Sequence, residues 1–170
     1  MVFICYNIFI KNKGGVCVVY RCFYNSPIGF IQIEGTEEGI ISIRIVDIPV
    51  NETEYITDEM KKCLLQLEEY FGGKRKSFDL NIIFEGTEFQ KSVWKALMKI
   101  PYGKTAGYKD IAESIGNPRA CRAVGNANNK NKLWIVVPCH RVINSDGSIG
   151  GYGGAVWRKE YLLKLEKDNS

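Results

Sequence analysis

The chain contains a single histidine, and it stands beside a cysteine in Pro138-Cys139-His140-Arg141. A thiol next to an imidazole has two readings. One is a small buried hydrophobe followed by an incidental turn residue; the other is a nucleophile with a proton acceptor at hand. The apolar run Leu133-Trp134-Ile135-Val136-Val137 comes just before. It reads as a short strand stopped by proline, which lacks an N–H for a ladder and holds the preceding residue extended. Cys139 and His140 are therefore expected at a strand-to-turn junction, on a rim rather than in a core. Adjacent side chains on an extended chain diverge, so a direct Cys–His hydrogen bond is awkward.

Further candidates lie downstream. Gly150-Gly151-Tyr152-Gly153-Gly154 has neither the lysine nor the spacing of a phosphate loop. Its glycines suit a backbone lying close to a ligand with N–H groups free to donate. A final helix is expected from Val156 to about Lys167, packing through Trp157, Tyr161, Leu162 and Leu165. On its wheel Glu166 falls between Leu162 and Leu163. That carboxylate is either a helix-edge charge or the group that orients a histidine.

Several elements must hold these residues in place. Thr87-Glu88-Phe89-Gln90 has the capping-box pattern. The helix behind it carries Phe89, Val93, Ala96, Leu97 and Ile100 on one stripe and stops at Pro101. A short helix capped by Thr105 is expected through Ser114, with Ile111, Ala112 and Ile115 buried and Tyr108 on the same side. Gly116 closes it, and Asn117-Pro118 opens another helix to about Asn128. This outline is a helix-turn-helix, a weak signal alone because such hairpins are common. On the second helix Ala120, Ala123, Val124 and Ala127 are expected to face the core. Arg122 projects opposite, flanked by Gly125 and Asn126. It is either a solvated arginine or a cation pushed into a shallow groove. A major-groove reader would present more long polar side chains.

The first half reads as scaffold. Strands are expected over Gly15–Tyr24 (buried on both faces), Gly29–Ile33 and Ile40–Val46, with turns at residues 12–15, 25–27 and 34–39. A helix capped by Thr57 follows, carrying Met60, Leu64, Leu67 and Phe71 before Gly72-Gly73. A short strand or extended linker over Leu80–Ile83 leads to the second half. The domains are accordingly residues 1–85, an α/β scaffold with linker, and residues 86–170.

At 170 residues and net charge +4, the chain can bury a real core, and its charge permits an acidic partner without establishing one. Its six cysteines, Cys5, Cys17, Cys22, Cys63, Cys121 and Cys139, are irregularly spaced, so reduced thiols in the cytoplasm are expected. Whether Cys5, Cys17 or Cys22 pair stays open. There is no CxxC, and the histidine is remote from the early cysteines, so no metal site is expected. Residues 1–10 are apolar but too short for a bilayer, and no membrane association is expected.

Taken together, these motifs resemble the methylated-DNA–protein-cysteine methyltransferases, or 6-O-alkylguanine-DNA alkyltransferases. The resemblance rests on Pro138-Cys139-His140-Arg141-Val142-Ile143, Tyr108, Asn117-Pro118, Arg122-Ala123-Val124-Gly125, Asn131, Tyr152-Gly153-Gly154 and Arg158-Lys159-Glu160-Tyr161-Leu162-Leu163 with Glu166. It covers residues 86–166 closely. The first half matches loosely, at Ser26-Pro27-Ile28-Gly29 and Glu37-Glu38-Gly39-Ile40. Ala155 departs from a position where many relatives continue with glycine, and Cys121 from one where they often have alanine.

The resemblance implies an α/β (α+β) fold: a small ribonuclease-H-like sheet with a helix, then a mostly helical domain with a winged helix-turn-helix-like DNA-binding motif. It implies DNA repair by direct reversal, in which the methyl group of a flipped-out 6-O-methylguanine moves irreversibly to Cys139. 4-O-methylthymine is a further candidate substrate. No cofactor is implied, and the partner is double-stranded DNA, approached from the minor groove by a monomer. By the same resemblance His140 is a base acting through water, Glu166 orients it, Tyr108 donates to the guanine, Asn131 braces the active-site segment and Lys159 supports the tyrosine. Arg122 is the finger that fills the vacated stack. Asn117, Ala120, Cys121, Ala123, Gly125, Tyr108, Lys109 and Ser145 contact DNA, and Val142, Tyr152, Gly153 and Gly154 line the base pocket. Two other classes compete: a cysteine hydrolase, which would need an oxyanion hole and turnover, and a DNA-binding module with no use for the thiol.

Overall fold

Four antiparallel strands in sequential order form the sheet of the first unit, Met1–Phe84: β1 (Cys5–Asn12), β2 (Gly15–Ser26), β3 (Gly29–Thr36) and β4 (Gly39–Val46). The computed structural model describes residues 5–12, 15–49, 55–153 and 155–170. β2 is paired on both sides, with Cys22 opposite Cys5 of β1 and Ile33 of β3. That interior position explains its continuous apolar run. The expected turn over residues 12–15 falls partly outside the described residues, but Asn12 and Gly15 pair across it. β1 is an addition to the expected elements: the apolar opening residues supply a strand. At the next turn the Ser26 hydroxyl accepts from Ile28 N (3.3 Å) and donates to the Gly29 carbonyl (2.6 Å). Gly29 takes a φ of 113°, a conformation L side chains rarely adopt.

Helix α1 (Asp58–Phe71) packs on this sheet. The Thr57 hydroxyl accepts from Met60 N at 3.3 Å, and Gly72 and Gly73 end the helix as expected. Met60, Leu64, Leu67 and Tyr70 are buried, while Phe71 lies at the edge and stacks on Tyr24 with centroids 5.9 Å apart. Beyond α1 the chain adds one parallel bridge, Ile82 to Ile40.

The second unit, Glu85–Ser170, contains α2 (Glu88–Leu97), β5 (Ala106–Gly107), α3 (Tyr108–Ser114), α4 (Cys121–Asn129), a 3₁₀ turn at Cys139–Arg141, β6 (Val142–Ile143) and α5 (Val156–Asp168). The capping box at α2 is complete: Thr87 Oγ1 accepts from Gln90 N (3.3 Å), and Gln90 Oε1 accepts from Thr87 N (3.0 Å). Buried Val93, Trp94, Ala96 and Leu97 anchor α2. The Trp94 indole N–H reaches the Ala127 carbonyl at 2.9 Å, tying α2 to α4. Among the described residues no helix is long and apolar enough to cross a membrane.

Four expectations are corrected. Thr105 does not cap α3. Residues 106–107 instead pair in parallel with Val142 and Ile143, and α3 starts at Tyr108, where Gly107 N donates to Asp110 Oδ2 at 2.8 Å. Next, α4 starts at Cys121 rather than Pro118, because residues 117–120 close a turn through Ala120 N and the Asn117 carbonyl (2.9 Å). With that later start the buried face of α4 is Val124, Ala127 and Asn128, and Ala123 is exposed.

On α5, Trp157 is 49% exposed, and the buried positions are Lys159, Leu162 and Glu166. Two of these three are charged, so an apolar wheel points the wrong way. Finally, Leu133–Val137 is not a strand. It is a buried turn in which Val137 N bonds the Leu133 carbonyl (2.8 Å) and Val136 N the Trp134 carbonyl (2.9 Å). Ile135 sits at φ 72°, a left-handed conformation that costs a β-branched residue on the order of 1–2 kcal/mol. Apolar composition reported burial here, and a short apolar run does not distinguish strand from other buried structure.

Candidate active site

The strained turn is held by one side chain. Asn131 Oδ1 accepts from Leu133 N at 2.9 Å, and Asn131 Nδ2 donates to the Val137 carbonyl at 2.9 Å, so a single amide clamps both ends of the segment. The chain then passes Pro138 into the 3₁₀ turn, where Cys139 N bonds the Val137 carbonyl (2.8 Å). The expected rim position is corrected: Cys139 is 4% exposed and His140 fully buried. In a helical turn successive side chains point apart, as they do on a strand. His140 faces α5.

His140 Nε2 lies 2.7 Å from Glu166 Oε1. A carboxylate accepts only, so this contact puts the imidazole proton on Nε2 and leaves Nδ1 as the lone-pair nitrogen. Nδ1 is buried and has no protein partner. Glu166 accepts three further bonds, from Arg141 Nε (2.8 Å), Arg141 Nη2 (3.0 Å) and Gly103 N (3.1 Å). Arg141 Nη1 continues to the Ile100 carbonyl at 2.7 Å. Burial alone would raise Glu166, but its bonds to His140 and Arg141 outweigh this and hold the carboxyl well below its ordinary range. Burial lowers His140 against the pull of Glu166, so the resting imidazole is neutral.

Burial also raises the Cys139 thiol, with the Asn131 amide and the Lys159 ammonium acting the other way. At rest the group is a thiol that needs a base to become a nucleophile. Lys159 is fully buried and donates to the Val142 carbonyl at 2.6 Å. The expected support of a tyrosine by Lys159 is not a hydrogen bond to Tyr152, whose buried hydroxyl has none. That hydroxyl faces the Cys139 thiol, and burial, then the thiol, pushes it well above its ordinary value. The Tyr152 ring packs against Trp134 at 5.3 Å between centroids. Tyr108 is likewise raised, by burial first and Cys139 second.

Beside these groups opens a cleft of about 930 Å³ walled by Tyr108, Lys109, Cys121, Ile143 and Ser145. Cys139, buried behind the surface, does not line it. Arg122 and Asn117 are exposed, while Ala120, Cys121 and Gly125 are half-buried. The Tyr108 ring lies over Gly125, where an added Cβ would stand 3.7 Å from it. Gly153 backs onto Trp134, and Gly154 falls outside the described residues. The structure thus brings Cys139, His140, Glu166, Asn131, Lys159, Val142, Tyr152 and Tyr108 together and spreads the expected DNA-contacting residues around the cleft. Arg141 was missed as a partner of Glu166. Its signal was a buried carboxylate with more acceptor sites than one histidine fills, beside an arginine on the same turn.

The signs at Glu166 and His140 agree. Both are lowered in the fold, so each contributes stability above its ordinary value and loses it as pH falls through the folded one. The urea midpoint is expected to drop between about pH 7 and pH 5 through His140, and further below about pH 4.5 through Glu166. A midpoint unchanged over that range would contradict the buried neutral imidazole.

A sheet-and-helix unit followed by a helical unit with a buried thiol, imidazole and carboxylate defines a two-domain protein built around one cysteine. Residues 19–84 match the family description 6-O-methylguanine DNA methyltransferase, ribonuclease-like domain, and residues 88–168 match the DNA binding domain of the same family. The chain belongs to this family. A methylated-DNA--protein-cysteine methyltransferase of Methanosarcina barkeri is 50% identical over 159 residues, 89% of this chain and 99% of the relative. A namesake in Mycolicibacterium paratuberculosis is 43% identical over 86% of this chain and 91% of its own. The crystal structure of the Mycobacterium tuberculosis O6-methylguanine methyltransferase superposes with TM-score 0.79 at 40% identity, covering 87% of this chain and 92% of that one. The M. tuberculosis structure in complex with DNA gives 0.78 at 42% identity over the same shares.

Proposed function

We propose that this protein repairs alkylated DNA by moving the methyl group of 6-O-methylguanine onto Cys139 in one irreversible displacement. The observation that carries the reading is the buried Cys139–His140–Glu166 group in a chain whose two halves match this family in order. A water between Cys139 and His140 Nδ1 takes the thiol proton, and Glu166 keeps the imidazole in the tautomer that accepts it. Lys159 offsets the thiolate charge. The sulfur attacks the methyl carbon, an S–C bond forms, and the C–O bond breaks with its electrons returning to the guanine ring. The guanine gains a proton, the thiol has lost one, and Tyr108 hydrogen-bonds the charge that develops on the base. The product is a thioether that nothing in the site can hydrolyse, so each molecule acts once. Val142, Tyr152, Gly153 and Gly154 surround the extruded base, Asn131 keeps the nucleophile in place, and 4-O-methylthymine is a second candidate substrate.

On this reading α3 and α4 form a winged helix-turn-helix that meets duplex DNA from the minor groove. Arg122 enters the vacated stack, and Asn117, Ala120, Cys121, Ala123, Gly125, Lys109 and Ser145 lie along the contact. Small residues on α4 support this by letting the backbone approach closely. Residues 1–85 act as scaffold, residues 86–170 carry the chemistry, and the protein works as a cytoplasmic monomer. The site residues described all come from one unit of one chain, and Cys63, Cys121 and Cys139 are free thiols.

Labelled methyl groups are expected to pass from duplex DNA to the wild-type protein and to plateau at a single equivalent. Arg122→Ala is expected to slow transfer from the duplex roughly 10-fold or more, since unstacking costs a few kcal/mol, and to leave transfer from free 6-O-methylguanine nearly unchanged. Continued turnover would overturn the displacement chemistry, and equal losses on both substrates would overturn the role of Arg122.

A further inference from the structure

The Glu166 carboxylate is bound from two sides by neighbours in sequence. His140 Nε2 and Arg141 Nη2 share Oε1 at 2.7 and 3.0 Å, and Arg141 Nε and Gly103 N share Oε2 at 2.8 and 3.1 Å. The arginine is itself fixed, with Nη1 on the Ile100 carbonyl at 2.7 Å and its guanidinium 5.7 Å from the centre of the Tyr102 ring. His140 and Glu166 are fully buried and Arg141 is 6% exposed. Nothing in the Cys-His-Glu relay by itself calls for this fork.

The charge balance gives it a purpose. A buried carboxylate needs a counter-charge. If Glu166 faced only His140, the one way to supply it would be to protonate the imidazole, and an imidazolium cannot accept a proton from Cys139. Arg141 supplies a permanent positive charge in bidentate geometry. We propose that Arg141 is a positioning residue that neutralises Glu166 and thereby keeps His140 in its neutral, proton-accepting form. This rests on the reading of His140 as the base in methyl transfer. The other groups facing His140 are Lys159 of α5, a second cation acting in the same direction, and the Cys139 thiol; the Tyr102 phenol lies against Arg141. Burial, Arg141 and Lys159 all lower His140, and Glu166 alone raises it.

Because the chain has a single histidine, its imidazole can be titrated by nitrogen-15 NMR without assignment. Arg141→Gln is expected to raise the His140 midpoint by about 1 pH unit or more. Methyl transfer by this variant should fall roughly 10-fold near neutral pH and recover as the pH is raised. Adding Glu166→Gln removes the unbalanced charge and should bring the midpoint back down. Arg141→Lys keeps the charge without the fork and should titrate like the wild type while reacting more slowly at every pH.

An unshifted midpoint in Arg141→Gln, or a loss of rate independent of pH, overturns the proposal and leaves Arg141 a structural residue. Should Arg141→Gln fail to fold by circular dichroism, Arg141→Lys decides, and an upward shift there overturns the proposal. A His140 midpoint that moves while the pH profile of transfer does not would instead sink the reading of His140 as base, leaving the charge balance intact.

Discussion

Replacing Cys139 with serine is expected to abolish methyl uptake while DNA binding stays within a few-fold of wild type. The hydroxyl is close in size to the thiol, so the buried turn should repack with little change. Serine is far less acidic, and the site is poor at supporting an anion: burial already raises the thiol, with only the Asn131 amide and Lys159 ammonium opposing it. The surfaces proposed for DNA lie on α3, α4 and the cleft they border, which the buried Cys139 does not line. Fluorescence anisotropy with duplex DNA and label transfer, run side by side, separate the two properties. Repair surviving in Cys139→Ser would mean that another group accepts the methyl. Loss of binding along with transfer would mean that the cysteine holds the interface together.

Glu166→Ala is expected to destabilise the protein by about 3–5 kcal/mol, because it leaves the buried Arg141 guanidinium without a counter-charge. The same change frees the imidazole of His140 from its only hydrogen-bond partner among the described residues, so transfer should fall even in the fraction that remains folded. Glu166→Gln preserves shape and some bonds and should lie between the two in stability. Urea unfolding measures the first effect and single-turnover rates the second. A loss below about 1 kcal/mol, the value of an exposed ion pair, would show that the carboxylate does not anchor the site.

What could be read from the chain follows the range of the forces involved. The Thr87–Gln90 capping box and the Thr57 cap were legible because capping is settled within a few residues. The sheet strands β2 to β4 were legible from apolar runs between turn residues, and the site residues from a dense set of motifs in fixed order. The misreadings arise where distant partners decide. Leu133–Val137 is apolar because it is buried, but Asn131 bends it into a turn, and only the structure shows both ends of that clamp. On α5 the inward stripe includes Lys159 and Glu166 because Val142, His140 and Arg141 satisfy them. A wheel that ranks charge as outward turns Trp157 inward instead. Arg141 was visible as a letter in the motif and invisible in its role, because its meaning lies in a carboxylate 25 residues away.

The central claim is that Cys139 is consumed as the methyl acceptor. The most direct measurement is the intact mass of the protein after incubation with duplex DNA carrying 6-O-methylguanine, followed by mapping of the modified peptide. The account predicts a stoichiometric gain of about 14 Da, a hydrogen replaced by a methyl group, confined to the peptide bearing Cys139 and absent from Cys139→Ser. An unchanged mass with the damaged base intact, or a methyl group found on Cys121 or Cys63 instead, would contradict it.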